Sequence, residues 1–256
     1  MFSPEQCERI ERETFVARVE SHVEVASTND LAMQRVADTN LRRPLLIHAQ
    51  RQTAGRGRGD NRWWSGDGAL TFSLLVEEVV VPQSLPVSLA VGVAVCDALR
   101  AIASDAAFGL KWPNDVYHCR RKIAGILVER PSQSAGDTVI GVGLNVNNSA
   151  EAAPAEVSGL ATSLREVAGK EYGLHTVLIE LLQQIGHTLA AMKTHPEELH
   201  ARWQRLCLLT GKQVTIATGH RQQSGRCVGI DTAGALIIET KADRLRFATG
   251  HVLAFS

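Results

Sequence analysis

Apolar residues recur at helical spacing in several segments of the chain. From Leu174 they fall at positions 174, 177, 178, 181, 182, 185 and 189, which together form one stripe of a helix. Residues 85–103 are nearly all apolar with the same period, and Pro196 begins another such segment. The charged residues 1–20 predict a short helix, and residues 27–30 (STND) offer N-caps for a further one.

Short apolar or alternating runs between these segments predict strands. The runs in the first part of the chain cover residues 45–47, 69–81, 108–112, 122–130 and 138–146. The last two are separated by a turn-rich stretch at 131–137, which predicts a hairpin.

The composition changes at residue 210, where short runs separated by glycine turns begin. Four of them, at 213–217, 226–230, 235–239 and 245–248, predict a small SH3-like β-barrel or a sheet packed on the main domain. We therefore expect an α+β fold, with a mixed sheet and packed helices over residues 1–209 and a small β domain over residues 210–256.

Charge and composition argue against several classes of protein. The 256 residues include 27 Lys and Arg and 27 Asp and Glu, so the formal net charge is zero and a general basic field for nucleic acid is not expected. Five widely spaced cysteines without a CxxC pair argue against a disulfide framework or a structural zinc site. Neither a signal peptide nor a membrane span is predicted, so we expect a cytoplasmic protein.

The most unusual segment, residues 52–68, is rich in glycine and arginine. Residues 55–59 read GRGRG and Arg62 follows. Glycines let a ligand approach the backbone, and guanidinium groups suit carboxylate and phosphate oxygens, so the segment predicts an anionic ligand. A disordered RGG-like loop that touches RNA is the alternative. The segment fits neither a P-loop nor a dinucleotide fingerprint, because two tryptophans stand where a helix would begin.

A lysine stands at the end of the strand predicted at 108–112, directly before a turn marked by Pro113. In the sequence KWPND, Lys111 is a positioned positive charge of the kind that holds a carboxylate beside a phosphate and offsets developing negative charge. The alternative is a lysine that snorkels beside a structural tryptophan, with Asn114 and Asp115 closing the turn.

Two glycines interrupt the apolar strand predicted at 138–146. Gly141 and Gly143 lie on one face, where they leave room for a group to lie against the backbone or mark a β-bulge. No GxSxG elbow, activated cysteine or histidine cluster is found, so nucleophilic hydrolysis has no candidate residue.

Five motifs occur in order over about 120 residues. They are STN at 27–29, GRGR at 55–58 with Trp63 and Ser65 downstream, KWPND at 111–115, KIAGILVE at 122–129 and GVGLNVN at 141–147. Together they resemble the biotin–protein ligase family, from about residue 24 to the end of the chain.

The resemblance implies a class II synthetase-like biotin/lipoate ligase catalytic domain followed by an SH3-like barrel. It also implies a two-step reaction. The biotin carboxylate attacks the α-phosphate of Mg²⁺-ATP to give biotinyl-5′-AMP, and a lysine of a carboxylase's biotin carboxyl-carrier protein or domain then displaces AMP.

The resemblance also implies site residues. Biotin contacts are expected from Ser27, Thr28, Asn29, Gln52, Arg56, Gly57, Arg58, Lys111, Gly141 and Gly143. ATP contacts are expected from Arg56, Arg58, Arg62, Lys111, Lys122 and Asn145. Lys111 and Arg58 are the expected catalytic residues, whereas no metal ligand is assigned beyond a part for Asn145 in placing ATP or its magnesium.

The chain departs from the family's pattern at two places. Residues 59–61 (GDN) stand where relatives usually carry larger or basic residues, so the adenine side of the pocket can differ. Residues 1–26 are too few for the winged-helix domain of some relatives, so we expect a ligase without a DNA partner. A monomer or a homodimer is expected.

Two other functions stay open from the sequence. A lipoate–protein ligase or octanoyltransferase has similar chemistry, although the paired GRGR and KWPND motifs favour biotin. A non-catalytic RNA-binding module is a different class, and its RNA affinity would fall steeply with salt.

Overall fold

The computed structural model describes residues 1–77, 85–132, 134 and 136–256. Its larger sheet is built from β1 (Arg18–Val25), β2 (Leu45–Gln52), β3 (Ala69–Glu77), β4 (Phe108–Lys111), β5 (Asp115–His118), β6 (Arg121–Glu129) and β7 (Asp137–Asn145). The spatial order is β1-β2-β3-β7-β6-β5-β4. Only β1 and β2 are parallel and the other neighbours are antiparallel, so the sheet is mixed, as predicted.

Helices cover both faces of this sheet. They are α1 (Pro4–Glu13), α2 (Thr28–Arg35), α3 (Val87–Ile102), α4 (Leu164–Ala168), α5 (Leu174–Thr194) and α6 (Pro196–Leu206), with a 3-10 turn at Ala150–Ala152. Side chains of β2 divide between the faces, because successive residues of a strand point in opposite directions. Leu45 and Ile47 pack with Ala32 of α2, whereas Leu46 belongs to the larger core with α3 and α5.

The C-terminal part forms a second, antiparallel sheet. Its strands are β8 (Gln213–Thr218), β9 (Arg221–Ile230), β10 (Leu236–Glu239), β11 (Arg244–Phe247) and β12 (His251–Phe255), in the order β11-β10-β9-β8-β12. The expected β domain is therefore present, with one strand more than the four predicted. The domain boundary at residue 210 stays a prediction.

The second sheet packs firmly against the first part of the chain. Leu236 and Ile216 belong to the same hydrophobic core as Leu110 of β4. The buried Trp112 indole donates a hydrogen bond of 3.0 Å to the carbonyl of Gly234. These contacts hold β12 beside the end of β4.

Some predicted boundaries are wrong. Residues 18–20, expected in a helix, begin β1, because α1 ends at Glu13 and Val19 is buried beside β2. The strand predicted at 69–81 is β3 up to Glu77, and residues 78–81 lie outside the described residues. The predicted hairpin is confirmed as β6 and β7, although residues 133 and 135 of its loop are likewise outside the description.

None of the helices within the described part of the chain is both long enough and apolar enough to cross a bilayer.

Candidate functional site

A cavity of about 390 Å³ opens over the glycine face of β7, between the start of α2, the loop after β2 and strand β12. All the residues that the sequence analysis selected line this cavity. They are Ser27, Thr28, Asn29, Gln52, Arg56, Gly57, Arg58, Arg62, Lys111, Lys122, Gly141, Gly143 and Asn145. Residues far apart in the sequence thus meet at one site.

The start of α2 forms a polar floor at one end of the cavity. The Thr28 N–H donates to Gln52 Oε1 at 2.7 Å, and Ser73 Oγ lies 2.6 Å from Asn29 Oδ1 and 2.7 Å from Thr28 Oγ1. Ser27 is the N-cap, and its hydroxyl accepts from Asp30 N at 3.4 Å. Buried donors and acceptors at this end suit a ligand group that itself carries N–H donors and a carbonyl.

The two glycines of β7 make room for side chains of the protein itself. A Cβ at Gly141 would lie 2.1 Å from Asn29 Oδ1, and a Cβ at Gly143 would lie 2.2 Å from Trp63 Cε2. The bulge alternative is wrong, because β7 pairs with β3 and β6 without a register shift. The glycines therefore let Asn29 and Trp63 approach the strand and shape the cavity wall.

The glycine–arginine loop, residues 55–62, is an ordered hairpin. Gly57 N donates to Asn61 O at 2.8 Å, Trp63 N donates to Gly55 O at 3.0 Å, and Arg56 and Arg62 form an isolated antiparallel bridge. Gly59 at the tip has a φ of +64°, which glycine adopts without strain. A disordered RGG-like loop is therefore not what the structure contains.

The two arginines at positions 56 and 58 have different surroundings. Arg56 Nη1 and Nη2 donate to the carboxylate of Glu129 at 2.8 and 2.6 Å, and Nη2 lies 2.7 Å from Asp30 Oδ1. These contacts raise the pKa of Arg56. Arg58 Nη1 instead donates to the carbonyl of Gly250 at 2.6 Å, and burial lowers the pKa of Arg58. Arg56 is held by charges, whereas Arg58 is held by one neutral acceptor.

Lys111 is the last residue of β4, and its ammonium group faces aromatic rings. Nζ lies 5.5 Å from the centre of the Tyr117 ring and 5.8 Å from that of Phe255. Within the part of the chain that the structure describes, it makes no ion pair and no hydrogen bond. Burial lowers the pKa of Lys111, with Asp115 opposing the shift. A half-buried ammonium without a carboxylate at contact distance is suited to an anionic ligand.

Lys122 and Asp115 form an ion pair beside this lysine. Lys122 Nζ lies 2.6 Å from Asp115 Oδ1 and 5.7 Å from the centre of a Trp63 ring. Asp115 does more than close the turn, since it begins β5 and pairs with Lys111 in the register of β4 and β5.

Asn145 is buried at the end of β7. Its Nδ2 donates to the carbonyl of Thr162 at 3.0 Å, and its Oδ1 accepts from Asn148 Nδ2 at 3.0 Å. Both ends of the amide are thus already bonded once, which leaves Asn145 one N–H of Nδ2 and one lone pair on Oδ1 for a ligand.

Several residues at the site were not predicted. Three of them line the cavity, namely Asp115, His251 and Val252. The other two, Ser73 and Glu129, contact the predicted residue Asn29. Glu129 ends the KIAGILVE motif and was a visible signal. His251 and Val252 belong to β12, which has few buried positions and hence no clear pattern.

A magnesium ion at this site would have few carboxylates to bind. Among residues 1–77, 85–132, 134 and 136–256, no three His, Cys, Asp or Glu side chains come together to hold a metal. Mg²⁺ at nucleotide sites usually takes only one or two carboxylates, with phosphate oxygens and water completing the shell. The Asp115 carboxylate at the cavity wall fits such an ion arriving with ATP.

The fold and the site together define an enzyme of the ligase class. Residues 22–147 match the Biotin/lipoate A/B protein ligase family, and residues 209–253 match the Biotin protein ligase C terminal domain. A biotin–[acetyl-CoA-carboxylase] ligase of Mycobacterium tuberculosis is 31% identical to this chain over 90% of the chain and 86% of its own length. The chain belongs to the biotin protein ligase family.

Two further proteins illustrate the extent of the similarity. The structure of the Aquifex aeolicus biotin protein ligase in complex with biotin and ATP superposes with a TM-score of 0.81 at 30% identity, covering 93% of this chain and 98% of that one. The bifunctional ligase/repressor BirA of Escherichia coli is 29% identical over 84% of this chain and 67% of its own length. The names of these relatives favour biotin over the lipoate alternative.

Proposed function

We propose that this protein attaches biotin to a specific lysine of a biotin carboxyl-carrier protein or domain, using ATP and a biotinyl-5′-AMP intermediate. The proposal rests mainly on the position of the Lys111 ammonium group. It lines the same cavity as the polar floor and the glycine–arginine loop, and no carboxylate of the described residues pairs with it.

In the first step, a biotin carboxylate oxygen forms a bond to the α-phosphorus of ATP while the bond from that phosphorus to the bridging oxygen breaks. Pyrophosphate leaves with the electron pair of that bond. Lys111 lies where it can hold the two anions together and offset the charge that develops on the phosphoryl oxygens. The polar floor around Thr28 and Asn29 would hold the ureido ring at the other end.

The magnesium ion is part of this proposal. It would supply charge neutralisation at the phosphates, and Asp115 is the side chain that would hold it. The ion pair with Asp115 also keeps Lys122 at the phosphate side of the cavity.

In the second step, the neutral amine of the acceptor lysine forms a bond to the biotinyl carbonyl carbon and AMP leaves with the electrons of the C–O bond. The amine loses a proton and an amide results. The mixed anhydride hydrolyses readily in water, so it has to be shielded until the carrier arrives. Arg58 and its loop, together with His251 and Val252 of β12, border the cavity and can provide this cover.

The decisive experiment is ATP–pyrophosphate exchange with and without biotin. Exchange that requires biotin supports the proposal, and an exchange rate that is the same with and without biotin contradicts it. Titration calorimetry with biotin and with lipoate distinguishes this proposal from the alternative of a lipoate–protein ligase. A cytoplasmic location, the lack of DNA binding and a monomeric or dimeric state stay predictions.

A further inference from the structure

One carboxylate connects the two halves of the biotin end of the cavity. Glu129 Oε2 accepts from Asn29 Nδ2 at 2.8 Å and from Arg56 Nη2 at 2.6 Å, while Oε1 accepts from Arg56 Nη1 at 2.8 Å. Glu129 thus holds the floor with one hydrogen bond and the glycine–arginine loop with two. It does not itself line the cavity.

The two groups that Glu129 holds have little other freedom. Asn29 Oδ1 is fixed from the opposite side by Ser73 Oγ at 2.6 Å, and the backbone of Gly141 lies directly behind it. Arg56 also contacts Asp30. The side-chain amide of Asn29 therefore has one defined orientation, with its nitrogen towards Glu129 and its oxygen towards Ser73.

The charge of Glu129 is stable in this setting. Burial raises the pKa of its carboxyl group, but hydrogen bonds from Arg56 and Asn29 outweigh the burial and hold that pKa below its usual range. An amide side chain could not accept all three hydrogen bonds, because its NH2 group is a donor only.

We propose that Glu129 is a positioning residue that fixes both the Asn29 amide and the Arg56 guanidinium, and thereby joins the glycine–arginine loop to the polar floor at the biotin end. The inference rests on the proposed function, because it assigns Glu129 to the biotin end of that same cavity.

The test compares Glu129→Gln with a matched variant. Glu20 on β1 makes the same kind of paired contact with Arg35, at 3.1 and 3.2 Å, away from the cavity. Loss of hydrogen bonds to a charged group predicts a rise of about 10- to 100-fold in the KM for biotin of Glu129→Gln. We expect kcat and the KM for ATP to change by less than about threefold, since the change lies at the biotin end. Glu20→Gln is expected to change neither KM.

Loop order is read independently by limited trypsin digestion. Trypsin cuts after arginine, so cleavage after Arg58 or Arg62 reports opening of the loop. We expect faster cleavage there in Glu129→Gln but not in Glu20→Gln. In an Arg56→Ala background, Glu129→Gln is expected to change neither the cleavage rate nor the KM for biotin, because the remaining amide oxygen can still accept the one hydrogen bond from Asn29 Nδ2.

Two outcomes overturn the inference. One is a biotin KM and a loop cleavage rate in Glu129→Gln within about twofold of the wild type; the other is equal rises in both KM values. If Glu129→Gln lacks a cooperative thermal transition, Glu129→Asp is assayed, since it keeps the charge but is too short to reach both partners. Failure of biotin-dependent exchange in the wild type would instead refute the proposed function, so the two failures are distinguishable.

Discussion

The two glycines of β7 predict a division of the cavity that single substitutions can test. Gly141 faces Asn29 of the polar floor, whereas Gly143 faces Trp63, whose ring lies beside Lys122. Adding one methyl group at each position perturbs a different end of the same site. Gly141→Ala should therefore impair biotin binding. Gly143→Ala should instead impair ATP binding through Trp63 and Lys122, although the family resemblance places Gly143 among the biotin contacts.

The size of the effect follows from the approach distances. The added Cβ would lie 2.1 Å from Asn29 Oδ1 in one variant and 2.2 Å from Trp63 Cε2 in the other, against an ordinary contact of at least 3.4 Å. Each neighbour has to move by about 1.2 Å or more, and a displacement near 1 Å of a positioned group changes rates by up to about 100-fold. We expect a rise of about 10- to 100-fold in the KM for the affected substrate and less than about threefold for the other.

The assay is ATP–pyrophosphate exchange, with each substrate varied at saturation of the other. Gly136→Ala is the matched control, because a Cβ at Gly136, in the β6–β7 connection, meets no atom of the described residues within 4 Å. Thermal unfolding checks that both site variants keep the fold. Equal rises in the two KM values, in both variants, would mean that the glycines line one undivided pocket and would contradict the division into a biotin end and an ATP end.

Three further predictions concern charged or titratable side chains. Lys111→Ala should abolish ATP–pyrophosphate exchange. Lys212→Ala is the control and should leave exchange near normal, because the Lys212 ammonium lies 5.1 Å from the centre of the same Phe255 ring but does not line the cavity; similar losses in both variants would contradict the role of Lys111. Arg58→Gly should still form the adenylate but release it, so bystander lysines are biotinylated; labelling no higher than wild type would contradict this. Burial lowers the pKa of His48 to about 3. Because this lies below the unfolded value near 6.5, stability is present above pH 6.5 and falls by about 2 kcal/mol from pH 8 to pH 5. The free energy of urea unfolding should depend less on pH over this range in His48→Gln than in the wild type. Equal pH dependence in the two proteins would contradict a buried, neutral His48.

Sequence patterns predicted the helices and strands that bury one face, or both faces, along their whole length. Helices α3 and α5 and the β6–β7 hairpin have long apolar patterns, and all three are present. Strands β1 and β12 were missed because few of their residues are buried, and only pairing with β2 and β8 keeps them extended. Such pairing is a property of the tertiary structure, which local patterns do not contain.

The site was predictable to a different degree. Motif residues could be selected from their chemistry and from the family resemblance, and they do share one cavity. Their partners could not, since Asn29 and Glu129 are 100 residues apart and Arg58 and Gly250 are 192 apart. The glycines of β7 indicated that some group lies against the strand, but only the structure identifies Asn29 and Trp63 as those groups.

Arg56 and Arg58 are equivalent in the sequence GRGR, and their acceptors separate their roles. Arg56 contacts the carboxylates of Glu129 and Asp30, which an incoming phosphate would have to displace charge for charge. Arg58 donates to the neutral carbonyl of Gly250, and a hydrogen bond to an ionised acceptor is roughly twice as strong as one between neutral groups. A phosphate can therefore take Arg58 from Gly250 but not Arg56 from Glu129. Arg58 is thus the arginine of this loop that would turn to the adenylate, while the contacts of Arg56 with Glu129 and Asp30 keep the loop in place as its cover.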